Sequence, residues 1–193
     1  VLLLWFHLCN LKNQALKKSF DVAAELIEVQ AKRNAFQGIK YIIPKEYKYF
    51  ISKFPYQETP DQLSSMKEVE DDLLKEKPME RLVCGEVGFG KTEIAMRASF
   101  IASYNNKQTC ILVPTTLLAQ QHLYSFKKRF EDTPINICSI TRNLKTKNRT
   151  KLLSDLNKGN IDILIGTHAL LQDSLSYHNL GLLIIDEEHK FGV

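Results

Sequence analysis

Residues Arg81 to Thr92 read RLVCGEVGFGKT, a short apolar run followed by three glycines, a lysine and a threonine. Gly85, Gly90, Lys91 and Thr92 fit the phosphate-loop pattern G-x-x-x-x-G-K-[ST]. Few folds accept this pattern, because it needs a strand before it, a helix after it and a loop between them whose amides converge on an anion. Backbone N–H groups can surround a triphosphate only where no side chain blocks the approach. Gly85, Gly88 and Gly90 therefore fall where the chain bends, and Glu86, Val87 and Phe89 complete the loop. The helix opening at Lys91 turns its positive end toward the phosphates. Lys91 is expected to supply a mobile charge for the β and γ phosphates, and the Thr92 hydroxyl to ligate Mg²⁺. The plain alternative is a glycine-rich turn. Against it stand the strand-like RLVC on one side and the helical EIAMRASFIASY on the other.

Near the other end, LLIIDEEH supplies the second half of a nucleotide site. Asp186, at the tip of an apolar strand, is suited to hold Mg²⁺, and Glu187 beside it to orient the attacking water for in-line displacement at the γ phosphate. A helix cap or a solvated turn would also use such carboxylates, but neither needs four apolar residues leading straight into the acids. Glu187 favours ATP hydrolysis over a phosphate-loop kinase, which needs no water-activating carboxylate. A transporter-type ATPase is disfavoured by the lack of an LSGGQ-like stretch between Thr92 and Asp186.

With 193 residues, 44% of them hydrophobic, the chain predicts one sizeable core and an N-terminal extension. The net charge of +4 says little about a polyanionic partner, but its distribution says more. Eight acids and three lysines lie between Glu58 and Glu80, whereas Ser139 to Lys151 carries Arg142, Lys145, Lys147, Arg149 and Lys151 with no acid. That run is a candidate contact for a phosphate backbone, or a solvated helix face. Cys9, Cys84, Cys110 and Cys138 lack the spacing of a metal site or disulfide framework and read as buried thiols of a reducing, cytoplasmic protein. The opening VLLLWFHLC falls short of the roughly 20 residues of a membrane helix and is expected to be a packing segment. A start at Val1 suggests that upstream sequence is missing.

Apolar residues recur at helical spacing at Leu16, Phe20, Ala23, Ile27 and Ala31, predicting an amphipathic helix over 11–37 that packs on the following domain or on a module outside this chain. Tyr41 to Tyr56, broken by Pro44 and Pro55, reads as an irregular connector. The next helix opens at Thr59, with Leu63, Met66, Val69 and Leu73 facing inward. Gln62 has two compatible readings: the second partner of a capping box with Thr59, and a hydrogen-bonding group for the adenine edge of ATP, with Phe54 or Phe50 over the adenine face. Beyond the phosphate loop, predicted helices (91–104, 116–130, 145–158) alternate with apolar strands (109–113, 135–140, 161–165, 182–186). The alternation implies a three-layer α/β domain with a parallel sheet, whose ligands gather at the carboxyl ends of the strands.

GEVGFGKTEIAMRA, ILVPTTLLAQQH, IDILIGTHALL and LGLLIIDEEHKFGV, in this order, resemble the first motor lobe of the bacterial transcription-repair coupling factors, which are superfamily-two DNA translocases. RecG-type branch-migration helicases are the nearest alternative; they usually carry Ser at the position of Phe89 and Gln at that of Glu188, and lack the Pro114-Thr115-Thr116 form. The resemblance covers about 21–193. It implies a RecA-like lobe, with 1–50 as N-terminal helix and connector and 51–193 as the ATP-binding domain, cut after the DEEH motif. It further implies ATP and Mg²⁺ at the site, double-stranded DNA as partner, and RNA polymerase engaged through modules outside this chain. By position, His189 links hydrolysis to DNA grip, and Thr115, Thr116, Arg142, Thr167 and His168 are candidates for the DNA backbone. Capping and turn chemistry is the other reading of those five. The second lobe, which supplies an arginine finger in such motors, is absent, so the chain alone is expected to turn ATP over slowly or to act as a nucleotide-binding scaffold.

Overall fold

The computed structural model describes residues 2–86, 88–141, 146–172 and 174–187. In chain order the elements are helix α1 (Leu2–Ala35), helix α2 (Tyr47–Ser52), helix α3 (Pro60–Leu73), helix α4 (Lys91–Tyr104), strand β1 (Gln108–Leu112), helix α5 (Thr116–Arg129), strand β2 (Ile137–Ile140), helix α6 (Thr146–Asn157), strand β3 (Ile163–Gly166), a 3-10 turn (His168–Leu171) and strand β4 (Leu180–Ile185). The strands form one parallel sheet in the order β2-β3-β1-β4. Parallel pairing follows from the sequence, because each crossover between strands is long enough to return the chain to the same end.

Successive side chains of a strand point to opposite faces, so the sheet feeds two cores. Ile111, Val113, Ile163 and Ile165 join Phe100 of α4 and Phe126 of α5 on one side. Cys110, Leu112, Ile140 and Leu164 join Leu156 of α6 and Leu170 on the other. Every residue of β1 and β3 is buried, as the continuous apolar runs predict for central parallel strands. The edge strand β4 is only partly covered, with Leu183 58% exposed.

Gly166 closes β3 between two neighbours, opposite Leu112 and Ile140. A methyl group there would lie 2.6 Å from the Ile140 carbonyl oxygen and 2.8 Å from its Cγ2. Gly166→Ala is therefore expected to destabilise the fold by about 1–3 kcal/mol through overpacking. Urea unfolding checks it; an unmoved midpoint would mean that β2 yields freely.

Four expectations are corrected. RLVC forms no strand: residues 78–86 lie outside the sheet and Leu82 is 76% exposed. The Arg81 guanidinium instead donates from Nε to Asp72 Oδ2 at 2.6 Å and bonds Glu68, which holds the segment beside α3. Cys84 is in consequence an exposed thiol, while Cys110 is buried. The aromatic stretch after Tyr41 is no mere connector. Tyr47 and Phe50 of α2 are buried, Phe50 stacks on Phe100 at 4.3 Å, and the Tyr41 hydroxyl donates to the Gly181 carbonyl at 2.7 Å. Leu63 of α3 is 51% exposed, whereas Met66, Val69 and Leu73 are buried as expected.

Helix α1 begins within the apolar opening and is longer than its predicted span. Phe20, Ala23, Ile27 and Ala31 are all exposed, so among the described residues its apolar face packs on no other element. Its link to the domain is polar: Arg33 donates to the Met79 carbonyl at 3.1 Å and pairs with Glu80. Of the two destinations expected for this helix, the domain that follows is not the one its described apolar side chains meet. No helix among the described residues is long and apolar enough to cross a membrane.

Candidate nucleotide-binding site

The loop between residue 84 and α4 has the backbone that the glycine pattern anticipates. Gly88 and Gly90 take φ +87° and +81°, a region that side-chain-bearing residues avoid. Gly90 is also the residue from which α4 starts. At Gly85 the constraint is space, since a methyl group would lie 2.6 Å from the Phe89 ring. Lys91 Nζ folds back over the loop and donates to the carbonyls of Gly85 at 2.6 Å and Glu86 at 3.0 Å. Thr92 follows it in the first turn of α4, partly exposed. Val87 lies outside the described residues.

The opening of α3 is tied to this loop. Thr59 Oγ1 accepts from the Gln62 N–H at 3.3 Å and Gln62 Oε1 accepts from the Thr59 N–H at 2.9 Å, the reciprocal capping box expected from the sequence. Gln62 Nε2 also donates to the Phe89 carbonyl at 2.5 Å. An amide offers two donor hydrogens and two acceptor lone pairs, so both readings of Gln62 fit one side chain. Phe54, partly exposed, stands edge-on to Tyr56 at 5.5 Å, whereas Phe50 is buried in the core and has no face to offer.

The acidic tip follows β4 at its carboxyl end. The Asp186 N–H donates to the Leu112 carbonyl at 2.9 Å, the last rung between β4 and β1. Its carboxylate accepts from His122 Nε2 at Oδ2 (2.7 Å) and from the Glu187 N–H at Oδ1 (3.1 Å). The His122 hydrogen bond is the main reason that the Asp186 carboxyl sits below the usual carboxylate range; burial opposes it, and the Glu187 N–H and the nearby Lys91 charge add to it. Glu187 turns the chain with φ +55°, an uncommon conformation for a residue with a side chain. Strain of this kind collects at functional positions.

A Mg²⁺ ion shared with substrate phosphates needs only one or two protein oxygens beyond its waters. The Asp186 carboxylate, kept ionised and half-buried beside the loop lysine, suits that donor set.

Of the remaining predicted positions, Thr115 caps α5, accepting from the Leu118 N–H at 3.2 Å, and is exposed with Thr116. Thr167 is buried, its carbonyl accepting from the Leu170 N–H at 2.8 Å, and His168 is exposed at the start of the 3-10 turn. Arg142 and His189 lie outside the described residues.

The sequence profile of the DEAD/DEAH box helicases matches residues 59–193. The chain belongs to the DEAD/DEAH box helicase family. It is 49% identical to the transcription-repair-coupling factors of Borreliella burgdorferi and Escherichia coli over 94% of its own length, and spans 16% of the length of each. Among solved structures, a RecG bound to a three-way DNA junction superposes with a TM-score of 0.79 at 36% identity, covering 86% of this chain and 23% of that one.

In this helicase lobe, two features of the site were not foreseen from the sequence. One is the His122–Asp186 contact, whose partners stand on different elements. The other is an ion network beneath the loop. Glu93, the residue after Thr92, is buried and receives Arg97 Nε at 3.0 Å, Arg129 Nη2 at 2.8 Å and Arg129 Nε at 3.1 Å. Arg97 continues to Glu58 at 2.6 Å, beside the α3 cap, and the Arg129 guanidinium lies 3.9 Å from the Phe50 ring centroid. The network clamps α4, α5 and the segment before α3 into one unit. Only the Glu93–Arg97 pair, four residues apart on a helix, had a sequence signal.

Proposed function

We propose that this chain is the ATP-binding lobe of a double-stranded DNA translocase that acts in transcription-coupled repair by displacing stalled RNA polymerase. What supports the reading is the glycine loop that opens α4 with Lys91 folded over it, together with the Asp186 tip at the carboxyl end of β4, whose carboxylate is lowered in part by the Lys91 charge. Similarity to the coupling factors supplies the biological setting.

The amides of Gly85, Glu86, Gly88, Phe89 and Gly90, with Val87 between them, cradle the phosphates, and Lys91 leaves the loop carbonyls for the β and γ oxygens. Gln62 uses its spare amide hydrogen and lone pair on the adenine edge while Phe54 covers the adenine face. Thr92 and Asp186 would hold Mg²⁺, which when bound neutralises charge on the β and γ phosphate oxygens. Glu187 orients the water that attacks the γ phosphorus. Thr115, Thr116, Arg142 and His168 contact the DNA backbone, Thr167 shapes the turn that presents His168, and His189 links hydrolysis to DNA grip. Such contacts carry no base information and weaken steeply with salt. RNA polymerase is met by other parts of the full-length protein, and an arginine finger from a second lobe completes the site.

Lys91→Ala is expected to weaken binding of a fluorescent ATP analogue by about ten- to a hundredfold, the loss of one or two charge-assisted contacts. Fluorescence titration of the isolated chain measures it. Parent-like affinity would overturn the site.

The RecG superposition supports a second reading, a branch-migration helicase. The two separate on the DNA that stimulates hydrolysis once the lobe is joined to its second half: linear duplex for a translocase, a three-way junction for branch migration.

A further inference from the structure

We propose that His122 is a positioning residue for the Asp186 carboxylate, and that through it helix α5 governs how this carboxylate is presented to a divalent cation. The proposal rests on the nucleotide-site reading above and extends it to a residue outside the phosphate loop and the acidic tip.

Four observations carry it. Nε2 of His122 lies 2.7 Å from Asp186 Oδ2, within hydrogen-bond distance. A carboxylate only accepts, so the hydrogen sits on Nε2. The His122 side chain is 11% exposed, its Nδ1 is buried with no hydrogen-bond partner among the described residues, and its ring lies 6.1 Å from the Phe126 ring, so the Asp186 contact is the hydrogen bond that the described residues give this imidazole. The second carboxylate oxygen is engaged by the Glu187 N–H at 3.1 Å. Asp186 is thereby held at both oxygens, each of which keeps a further lone pair.

His122 also lies on α5, whose N-terminal cap is Thr115. From Thr115 to His122 is about two helical turns, roughly 10 Å of rigid rod. A shift at the exposed end of α5 is therefore delivered to the carboxylate without any loop between them. Outer-sphere hydrogen bonds to a metal-holding carboxylate typically change metal affinity by about ten- to a hundredfold when removed.

The test uses the chain as it is, a fluorescent ATP analogue and Mg²⁺, and reads the Mg²⁺ concentration that gives half-maximal metal-dependent binding. His122→Leu is expected to raise that concentration about ten- to a hundredfold. His122→Gln, whose amide hydrogen reaches the same oxygen, is expected to recover most of the shift. In the Asp186→Asn background, His122→Leu should add little, the non-additivity of two groups acting through one contact. Additive effects, or a His122→Leu midpoint within twofold of the parent, would overturn the proposal while leaving the nucleotide site intact. Parent-like nucleotide binding by Lys91→Ala would overturn the nucleotide reading and this proposal with it. Should His122→Leu not fold, ¹⁵N resonances of the parent imidazole decide: a hydrogen on Nε2 that responds to Asp186→Asn supports the contact, and a bare Nε2 overturns it.

Discussion

Glu93→Ala is expected to remove about 3–5 kcal/mol of folding stability, the usual cost of taking one partner from a buried ion pair and leaving the other charged. Glu93 is 5% exposed, and its two oxygens are shared between Arg97 and Arg129. Without it, Arg97 keeps Glu58, which is itself partly solvated. Arg129 keeps the Phe50 carbonyl and ring, at 2.8 and 3.9 Å, and a more distant Phe54 ring at 5.8 Å, none of them an anion, and its charge stays inside a surface it cannot leave without dragging α5 away from α2. Alanine is the better helix former, but that gain is below about 0.7 kcal/mol and does not offset the loss. Against a total of about 5–15 kcal/mol for an ordinary domain, the variant is left barely folded. Urea unfolding followed by circular dichroism measures the change.

The triple replacement Glu93→Leu, Arg97→Met, Arg129→Met separates this account from a simple count of bonds lost. With every buried charge gone and similar volumes kept, it should cost less than Glu93→Ala alone, because desolvation of the charges disappears with their attraction. A Glu93→Ala loss under about 1 kcal/mol, or a triple variant weaker than the single one, would remove the network from the lobe's stability.

How much of this was legible beforehand depends on how local each signal was. The glycines and Lys91 fixed the start of α4 to the residue, because φ above zero and a helix N-terminus are encoded side by side. The Thr59–Gln62 capping box was equally readable, since both partners sit within one turn. Apolar runs located all four strands to within two residues and gave the parallel sheet. Failures came where an outcome depended on a distant partner. RLVC has strand composition, but Arg81 binds α3 instead, and no property of the four residues foretells that. Tyr47 to Ser52 is too short and too aromatic to show a helical period, and its burial depends on Phe100 and Phe130, far along the chain. His122 carries no local signal of its role. Its meaning comes from Asp186, 64 residues away, and only the pairing of β4 with β1 brings the two together.

Glu187→Gln should leave nucleotide binding nearly intact and stop its consumption. The measurement belongs in a polypeptide that unites this lobe with the second lobe proposed above. A positioned carboxylate acting on the attacking water contributes about 10²–10⁴ in rate, or roughly 3–5 kcal/mol of barrier. Glutamine keeps the shape, and so the φ of +55° at this position, but it cannot take a proton. Affinity for an ATP analogue should then stay within a few-fold of the parent while turnover falls by the full factor, the reverse of Lys91→Ala, in which binding itself weakens. The contrast follows from where each group stands. Lys91 sits over the glycine loop, which in the proposed site meets the phosphates in the ground state. Glu187 stands one residue beyond Asp186, on a turn held by its own N–H to that carboxylate, and in the proposed mechanism it acts on the water rather than on the bound phosphates. Single-turnover hydrolysis beside equilibrium titration distinguishes the two variants. If Glu187→Gln turned over at the parent rate, the water would be activated from elsewhere, and the strained turn at the end of β4 would serve only to aim Asp186.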